Sequence, residues 1–179
     1  MLRKNQGYVI RHIKTGDRGK IIYFLSPNLG RIAIYVPNAY KSANSISLNM
    51  FNMCQVTYYE KNMPILKEVT IKKELIVNNL NTQMFLLYIS MILSKIIPER
   101  NPVNNIYTIV DKLTDIIYKN HAISYSQILV VLNLFLDTVI QEIGYEGSLP
   151  ANLKYHEKHQ IVETLSGHKL WKYKLLKEY

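Results

Sequence analysis

The amino-acid sequence predicts an α+β protein, in which a five-stranded β-barrel over residues 1–77 precedes an α-helical domain over residues 78–179. Two observations support this prediction. Five short runs rich in β-branched and aromatic residues occupy the first 75 residues, with turn residues between them. After Asn78 the apolar residues recur every three to four positions, which is the period of an amphipathic helix.

The strands are marked by their alternation and by the residues that end them. In the third run Ile32, Ile34 and Val36 occupy alternate positions, so they face one side of a strand that Pro37 ends. Five such short strands favour the oligonucleotide/oligosaccharide-binding (OB) barrel. The predicted strands are 8–13, 20–25, 31–36, 53–60 and 65–75.

Four helical regions follow the strands. The third is apolar around nearly its whole circumference, which predicts a central, buried position in a helical bundle. Ser124 or Ser126 is expected to cap its start, and Gly144 to stop it. The predicted helices are 79–97, 103–118, a third that ends at 143, and 154–176 with a break allowed at Gly167.

Several functional classes are not expected. No apolar run reaches the roughly 18 residues of a membrane span, and no signal peptide is recognisable, so we expect a cytoplasmic, non-membrane protein. Cys54 is the only cysteine, which predicts a small buried hydrophobe and excludes a Cys-based zinc site. No phosphate-binding loop, nucleophile motif or paired carboxylates occur, so we expect neither enzyme activity nor a cofactor. We interpret His156, His159 and His168 as an incidental surface cluster rather than a metal site.

The positive charge is concentrated at the N-terminus. The net charge is +9, and residues 1–74 alone carry twelve Lys and Arg against four Asp and Glu, a net of +8. Four of the five arginines lie within the first 31 residues. Because the planar guanidinium pairs with phosphate in bidentate fashion, this clustering indicates a polyanion partner. The alternative interpretation is a basic surface that keeps the protein soluble and binds no polyanion.

The order and spacing of several motifs resemble the N-terminal domain of the RecO family of bacterial recombination mediators, and the resemblance extends to about Gly144. The family's apolar helix that closes on Leu-Gly-Tyr corresponds to the segment ending in Ile143, Gly144 and Tyr145. The N-terminal motifs are Gly7-Tyr8-Val9-Ile10-Arg11, Gly16-Asp17, Ile21 through Leu25, Gly30-Arg31-Ile32 and Ala39-Tyr40-Lys41-Ser42.

This resemblance implies an OB-fold domain followed by a helical domain, binding of single- and double-stranded DNA, strand annealing and help in RecA loading. It also implies RecR and single-strand-binding protein as partners. Many family members carry a four-cysteine zinc module just after the Gly-Tyr element, and this chain has no cysteine there. Its C-terminus is also short, so we expect the surface that longer members build there for RecR to be reduced.

Basic residues at and beside the first turn are the candidate DNA contacts, because a loop in this position lines the groove of an OB barrel. Three tyrosines are candidates for base stacking, although packing into the barrel core is an equal alternative. The DNA-contact candidates are Arg11, Lys14, Arg18, Lys20, Arg31 and Lys41. The stacking candidates are Tyr23, Tyr35 and Tyr40.

Two other functions remain open from the sequence. The apolar helices and the acidic middle of the chain would also suit a protein–protein interaction module whose helical domain binds the partner while the barrel supports it. An OB barrel that binds RNA is the second alternative, because both nucleic acids offer phosphates and bases.

Overall fold

A computed structural model describes residues 1–39, 48–145, 150 and 153–170 of the chain. Five strands come first and helices follow, so the predicted α+β order is confirmed. The strands are β1 (Leu2–Thr15), β2 (Gly19–Ser26), β3 (Gly30–Val36), β4 (Met53–Tyr59) and β5 (Ile65–Lys73). The helices formed by the described residues are α1 (Leu80–Ile96), α2 (Asn104–Asn120), α3 (Tyr125–Glu142) and α4 (Tyr155–Ser166).

The strands close into a barrel in the order β1-β2-β3-β5-β4. Strand β1 contributes to both halves of this barrel, because residues 2–8 pair with β4 and residues 8–15 pair with β2, both antiparallel. The register shifts between Val9 and Arg11, and a bulge of this kind bends a strand and increases its twist. A parallel contact between Tyr35 and Ile65 joins β3 to β5 and completes the ring.

The first half of β1 was not predicted from the sequence, which placed the strand at 8–13. Residues 3–6 have polar side chains, so no apolar alternation marks them as a strand. Their backbone is nevertheless paired with β4, and the Asn5 amide donates a hydrogen bond of 2.9 Å to the hydroxyl of Tyr58, 53 residues away. A partner so distant in sequence leaves no local pattern from which the extension could be predicted.

The barrel interior is filled by the inward-facing side chains of all five strands. Ile32, Ile34 and Val36 are buried, as the alternation in the sequence predicted. Cys54 is fully buried opposite Gly7 of β1, and burial raises the pKa of its thiol to about 11. The residue is therefore the small buried hydrophobe that was expected, uncharged at neutral pH.

The chain folds into two compact units. The first contains residues 1–75 and 98–107, and the second contains residues 76–97 and the chain from 108 onward. We call residues 98–107 the strap, since this segment follows α1 in sequence but packs with the barrel. The Arg100 N–H donates to the Arg31 carbonyl over 2.9 Å, and the Tyr107 ring lies 5.7 Å from that of Tyr8.

Gly30 is where the strap approaches β3 most closely. Its φ of +64° is in the left-handed region that favours glycine. A Cβ at this position would also overlap the carbonyl oxygen of Asn101 in the strap. Backbone conformation and space therefore both require glycine at the start of β3.

We call the second unit the helical unit, and recognisable capping residues mark several of its helix ends. The Asn79 side chain accepts from the third residue of α1, and Ser124, rather than Ser126, forms a capping box with Gln127 at the start of α3. Gly167 adopts a left-handed conformation and ends α4 at Ser166, where the prediction of a helix over 154–176 allowed a break; residues 171–176 lie outside the described residues. None of the helices in the described residues combines the length and hydrophobicity of a membrane span.

Helix α3 is buried on one side only, so the prediction of a wholly buried central helix was wrong. Val130 is 69% exposed and Leu134 is 55% exposed. Asp137 of the same helix forms an ion pair of 2.8 Å with Lys158 of α4. The buried residues of α3 include Ile128, Leu132, Phe135, Leu136, Val139 and Ile140.

Two polar residues meet inside the helical unit. The Tyr88 hydroxyl and His159 Nδ1 lie 2.6 Å apart, and His159 Nε2 lies 3.7 Å from a carboxylate oxygen of Glu163. Burial is the main cause that raises the pKa of Tyr88. His159 is therefore a buried structural residue, and its interpretation as part of a surface cluster was wrong. Within the described ranges, no group of three or more His, Cys, Asp and Glu is placed to hold a metal.

Candidate nucleic-acid interface

The outward side of β2 and β3 carries aromatic and basic side chains. Tyr23 lies in register between Arg11 of β1 and Ala33 of β3. Because side chains alternate along a strand, Tyr35 faces the same way as Ala33, away from the apolar core. We call Arg11, Tyr23, Arg31 and Tyr35, together with the adjoining β1–β2 turn at residues 14–18, the β2–β3 face. This is the surface with which OB barrels bind oligonucleotides.

The β1–β2 turn places positive charge at one end of this face. Lys14 and Arg18 are exposed there. Lys20 pairs with Lys14 in the β-ladder but is only 6% exposed, and burial lowers its pKa. Lys20 lies on the same side of β2 as the buried Ile22 and therefore points inward. The alternation of β2 in the sequence was the signal that could have separated Lys20 from the other two candidates.

Neither of the two described tyrosine candidates lies in the barrel core, and neither ring is fully open. Tyr35 is half-buried because its ring packs over the start of β2, where a Cβ on Gly19 would come 2.6 Å from the tyrosine hydroxyl. Tyr23 is also half-buried. Each ring therefore exposes part of its surface on the outside of the barrel. The sequence left base stacking and packing into the barrel core as alternatives, and this partial exposure is intermediate between them.

Arg31 already has an anionic neighbour in this structure. Its guanidinium carbon lies 5.1 Å from the centre of the Tyr23 ring, a cation–π geometry, and its Nη1 lies 3.1 Å from a carboxylate oxygen of Glu99 in the strap. The Arg31 side chain is 12% exposed, whereas that of Glu99 is 52% exposed. A carboxylate thus occupies the place where a phosphate would pair with Arg31.

His12 extends the group of titratable residues near the turn. Burial, and secondarily the charge of Lys20, lower the pKa of His12. The imidazole is therefore neutral at pH 7, and a phosphate close to it would favour the protonated form. The sequence patterns pointed to neither His12 nor Glu99. His12 pairs with Ile22, so the alternation of β1 places it on the side opposite Arg11, and Glu99 comes from a distant segment; no local pattern marks either residue as part of this group.

The structure thus separates the predicted contacts by their position. Arg11, Tyr23 and Arg31 lie together on the outer side of β1, β2 and β3, and Lys14 and Arg18 lie at the turn. Tyr35 packs over the start of β2, and Lys20 points inward. The candidates Tyr40 and Lys41 lie outside the described residues.

The helical unit has a cavity of its own. It has a volume of about 400 Å³ and is lined mainly by α4. Its apolar lining includes Ile161 and Leu165, and Leu165 is 46% exposed. This cavity is a second surface on which a partner could be sought.

Comparison with known proteins assigns the barrel. Residues 1–74 match the family model described as recombination protein O N terminal. No curated protein matches the chain. The match ends where the barrel ends, so the resemblance of residues 75–144 stays a prediction. The RecO N-terminal domain is an OB-fold domain, as the five-stranded closed barrel is. Residues 1–74 are therefore identified as a RecO N-terminal domain, the barrel domain of a family of recombination proteins.

Proposed function

We propose that this protein binds single- and double-stranded DNA without performing chemistry on it, anneals complementary strands and assists RecA loading during repair. The observation that carries the proposal is the β2–β3 face, where cationic and aromatic side chains share the outer surface of a RecO N-terminal domain. Binding at this face is expected to depend on the sugar-phosphate backbone and to show little sequence preference.

The side chains on the face have distinct expected roles. Arg11, Lys14 and Arg18 would neutralise phosphates, and Tyr23 and Tyr35 would stack on bases. Each neutralised phosphate releases counterions, so the affinity should fall steeply as salt rises. Annealing follows if two strands with their phosphates neutralised are held close enough for their bases to pair.

Fluorescence anisotropy with a labelled oligonucleotide at two salt concentrations tests the proposal. We expect the double variant Arg11→Glu/Arg18→Glu to bind at least about tenfold more weakly than wild type, because it removes two phosphate contacts and introduces repulsion. The double variant Lys112→Glu/Lys119→Glu makes the same charge change at exposed positions of α2 and should bind much like wild type. Equal weakening by both variants, or wild-type binding that salt does not weaken, would refute the role of the face.

A second candidate function is partner binding through the helical unit, with RecR and single-strand-binding protein as the expected partners. The exposed Val130 and Leu134 of α3 favour it, because adjacent large apolar side chains in water are typical of docking surfaces. If annealing survives Arg11→Glu/Arg18→Glu but a Val130→Asp/Leu134→Asp variant abolishes it, the helical unit is the active part.

DNA and RNA must be separated by competition. We expect unlabelled DNA to displace a labelled DNA strand at lower concentration than an RNA strand of the same sequence. More efficient displacement by the RNA strand would favour an RNA-binding OB protein, because only RNA offers the 2′-hydroxyl.

A further inference from the structure

The barrel has a second exposed face with aromatic and basic side chains, built by the first half of β1 with β4 and β5. The β-ladder places Leu2 beside Tyr59, which are 46% and 43% exposed, and it places the exposed Lys4 beside Thr57. Lys67 of β5 holds its ammonium 6.0 Å from the centre of the Tyr59 ring. We call Leu2, Lys4, Thr57, Tyr59 and Lys67 the β4–β5 face.

This face offers the same chemistry as the β2–β3 face. An exposed tyrosine provides a ring for stacking, and two exposed lysines can pair with phosphates. Glu68 is the acidic residue beside them, since Thr57 pairs with Glu68 in the ladder. Lys61 in the turn between β4 and β5 and Lys72 of β5 are also exposed, and they add further positive charge to this half of the barrel.

The carboxylate of Glu60 subtracts little from that charge because two arginines surround it. Arg3 Nε lies 2.7 Å from one of its oxygens, and Arg100 Nη1 lies 3.9 Å from the other. The hydrogen bond from Arg3 is the main cause that lowers the pKa of Glu60. The net charge of Glu60 and its two arginine neighbours is therefore positive at the end of β4.

The two faces belong to different halves of the barrel. The bulge between Val9 and Arg11 separates the part of β1 that pairs with β4 from the part that pairs with β2. In the ring order β1-β2-β3-β5-β4, the pair β2–β3 and the pair β5–β4 are each continuous. A strand bound at one face would therefore leave the other accessible.

We propose that the β4–β5 face is a second DNA-binding site, which holds a second single strand by its phosphates and by stacking on Tyr59. This inference rests on the proposed DNA-binding function and deepens it, because annealing requires two strands to be held by one protein. Charge complementarity favours a nucleic acid as the occupant, since cations outnumber the acidic side chains on the face.

Native mass spectrometry with an oligonucleotide of about 12 nucleotides, within the site size of one OB fold, tests the proposal. We expect two strands per wild-type chain and one strand per chain of Lys4→Glu/Lys67→Glu. The variant should also anneal complementary strands at least about tenfold more slowly, because bringing two strands onto one protein raises their effective concentration. Its affinity for the first strand should match that of the Lys112→Glu/Lys119→Glu control, which carries the same change in net charge.

A milder variant protects the test from misfolding. Lys4→Gln/Lys67→Gln removes the two charges without reversing them and should reduce the second binding event and the annealing rate in the same direction. One strand per wild-type chain, or annealing at the wild-type rate by both variants, would overturn the second site while the β2–β3 face stands. No strand bound to wild type would overturn the proposed function itself.

Discussion

Glu99 should act as an internal competitor of DNA for Arg31, and Glu99→Gln removes that competitor. In the free protein the carboxylate lies 3.1 Å from Arg31, whose guanidinium covers part of the Tyr23 ring. A phosphate that binds Arg31 must first displace this carboxylate. The amide of the variant keeps the size of the side chain but not its charge, so a phosphate meets less competition at Arg31.

The magnitude follows from the exposure of the pair. Because Glu99 is half-exposed, the ion pair is worth about 0.2–1 kcal/mol. Its loss should tighten DNA binding by about 1.4- to 5-fold, given that 1.4 kcal/mol corresponds to a factor of ten. A new phosphate contact at Arg31 should also steepen the dependence of log K on log salt by about 0.7 for a single strand.

Anisotropy titrations across a salt series measure both quantities. Glu142→Gln removes the same charge in α3, outside the β2–β3 face, and controls for the general change in net charge. In an Arg31→Met background the effect of Glu99→Gln should disappear, because the two residues act as a pair. Affinity that falls in Glu99→Gln, or a gain that persists without Arg31, would refute the competitor role.

Three further predictions concern the stability and pH dependence of the protein. Gly30→Ala should lower the free energy of unfolding by about 2–4 kcal/mol in chemical denaturation, because it strains the backbone and overlaps the strap; an unchanged midpoint would contradict the close approach. Tyr88→Phe should cost about 1–3 kcal/mol, since it removes the hydroxyl bonded to the buried His159, and wild-type stability of this variant would contradict that bond. DNA binding should tighten as pH falls from about 7.5 to about 5.5, because the pKa of His12 is lowered in the free protein and would rise beside a phosphate; the same pH dependence in His12→Asn would exclude this residue as its source.

Local patterns in the sequence predicted much of the fold. The alternation of Ile32, Ile34 and Val36 located β3, and the expectation of a cap at Ser124 or Ser126 located the start of α3 to within two residues. These features depend on neighbours within a few residues. The first half of β1 could not be predicted in the same way. Its side chains are mostly polar, and the strand with which its backbone pairs, β4, lies in a distant part of the chain.

The candidate site was predicted less completely than the fold. The residue types and the clustering of Arg11, Arg18 and Arg31 pointed to the barrel, but not to the state of each side chain. Charge counting treats Lys20 and Lys14 alike, although one is buried and the other exposed. The strap was not predicted, because only packing across the fold shows that its carboxylate meets Arg31.

The most direct measurement of the central claim is a map of backbone amide chemical shifts as an oligonucleotide is added to the protein. DNA binding at the β2–β3 face predicts that the amides of Arg11, Tyr23, Arg31 and the turn at residues 16–18 shift first and by the largest amounts. Shifts confined to α3 and α4, with the β2–β3 face unchanged, would contradict the claim that this face of the barrel binds DNA.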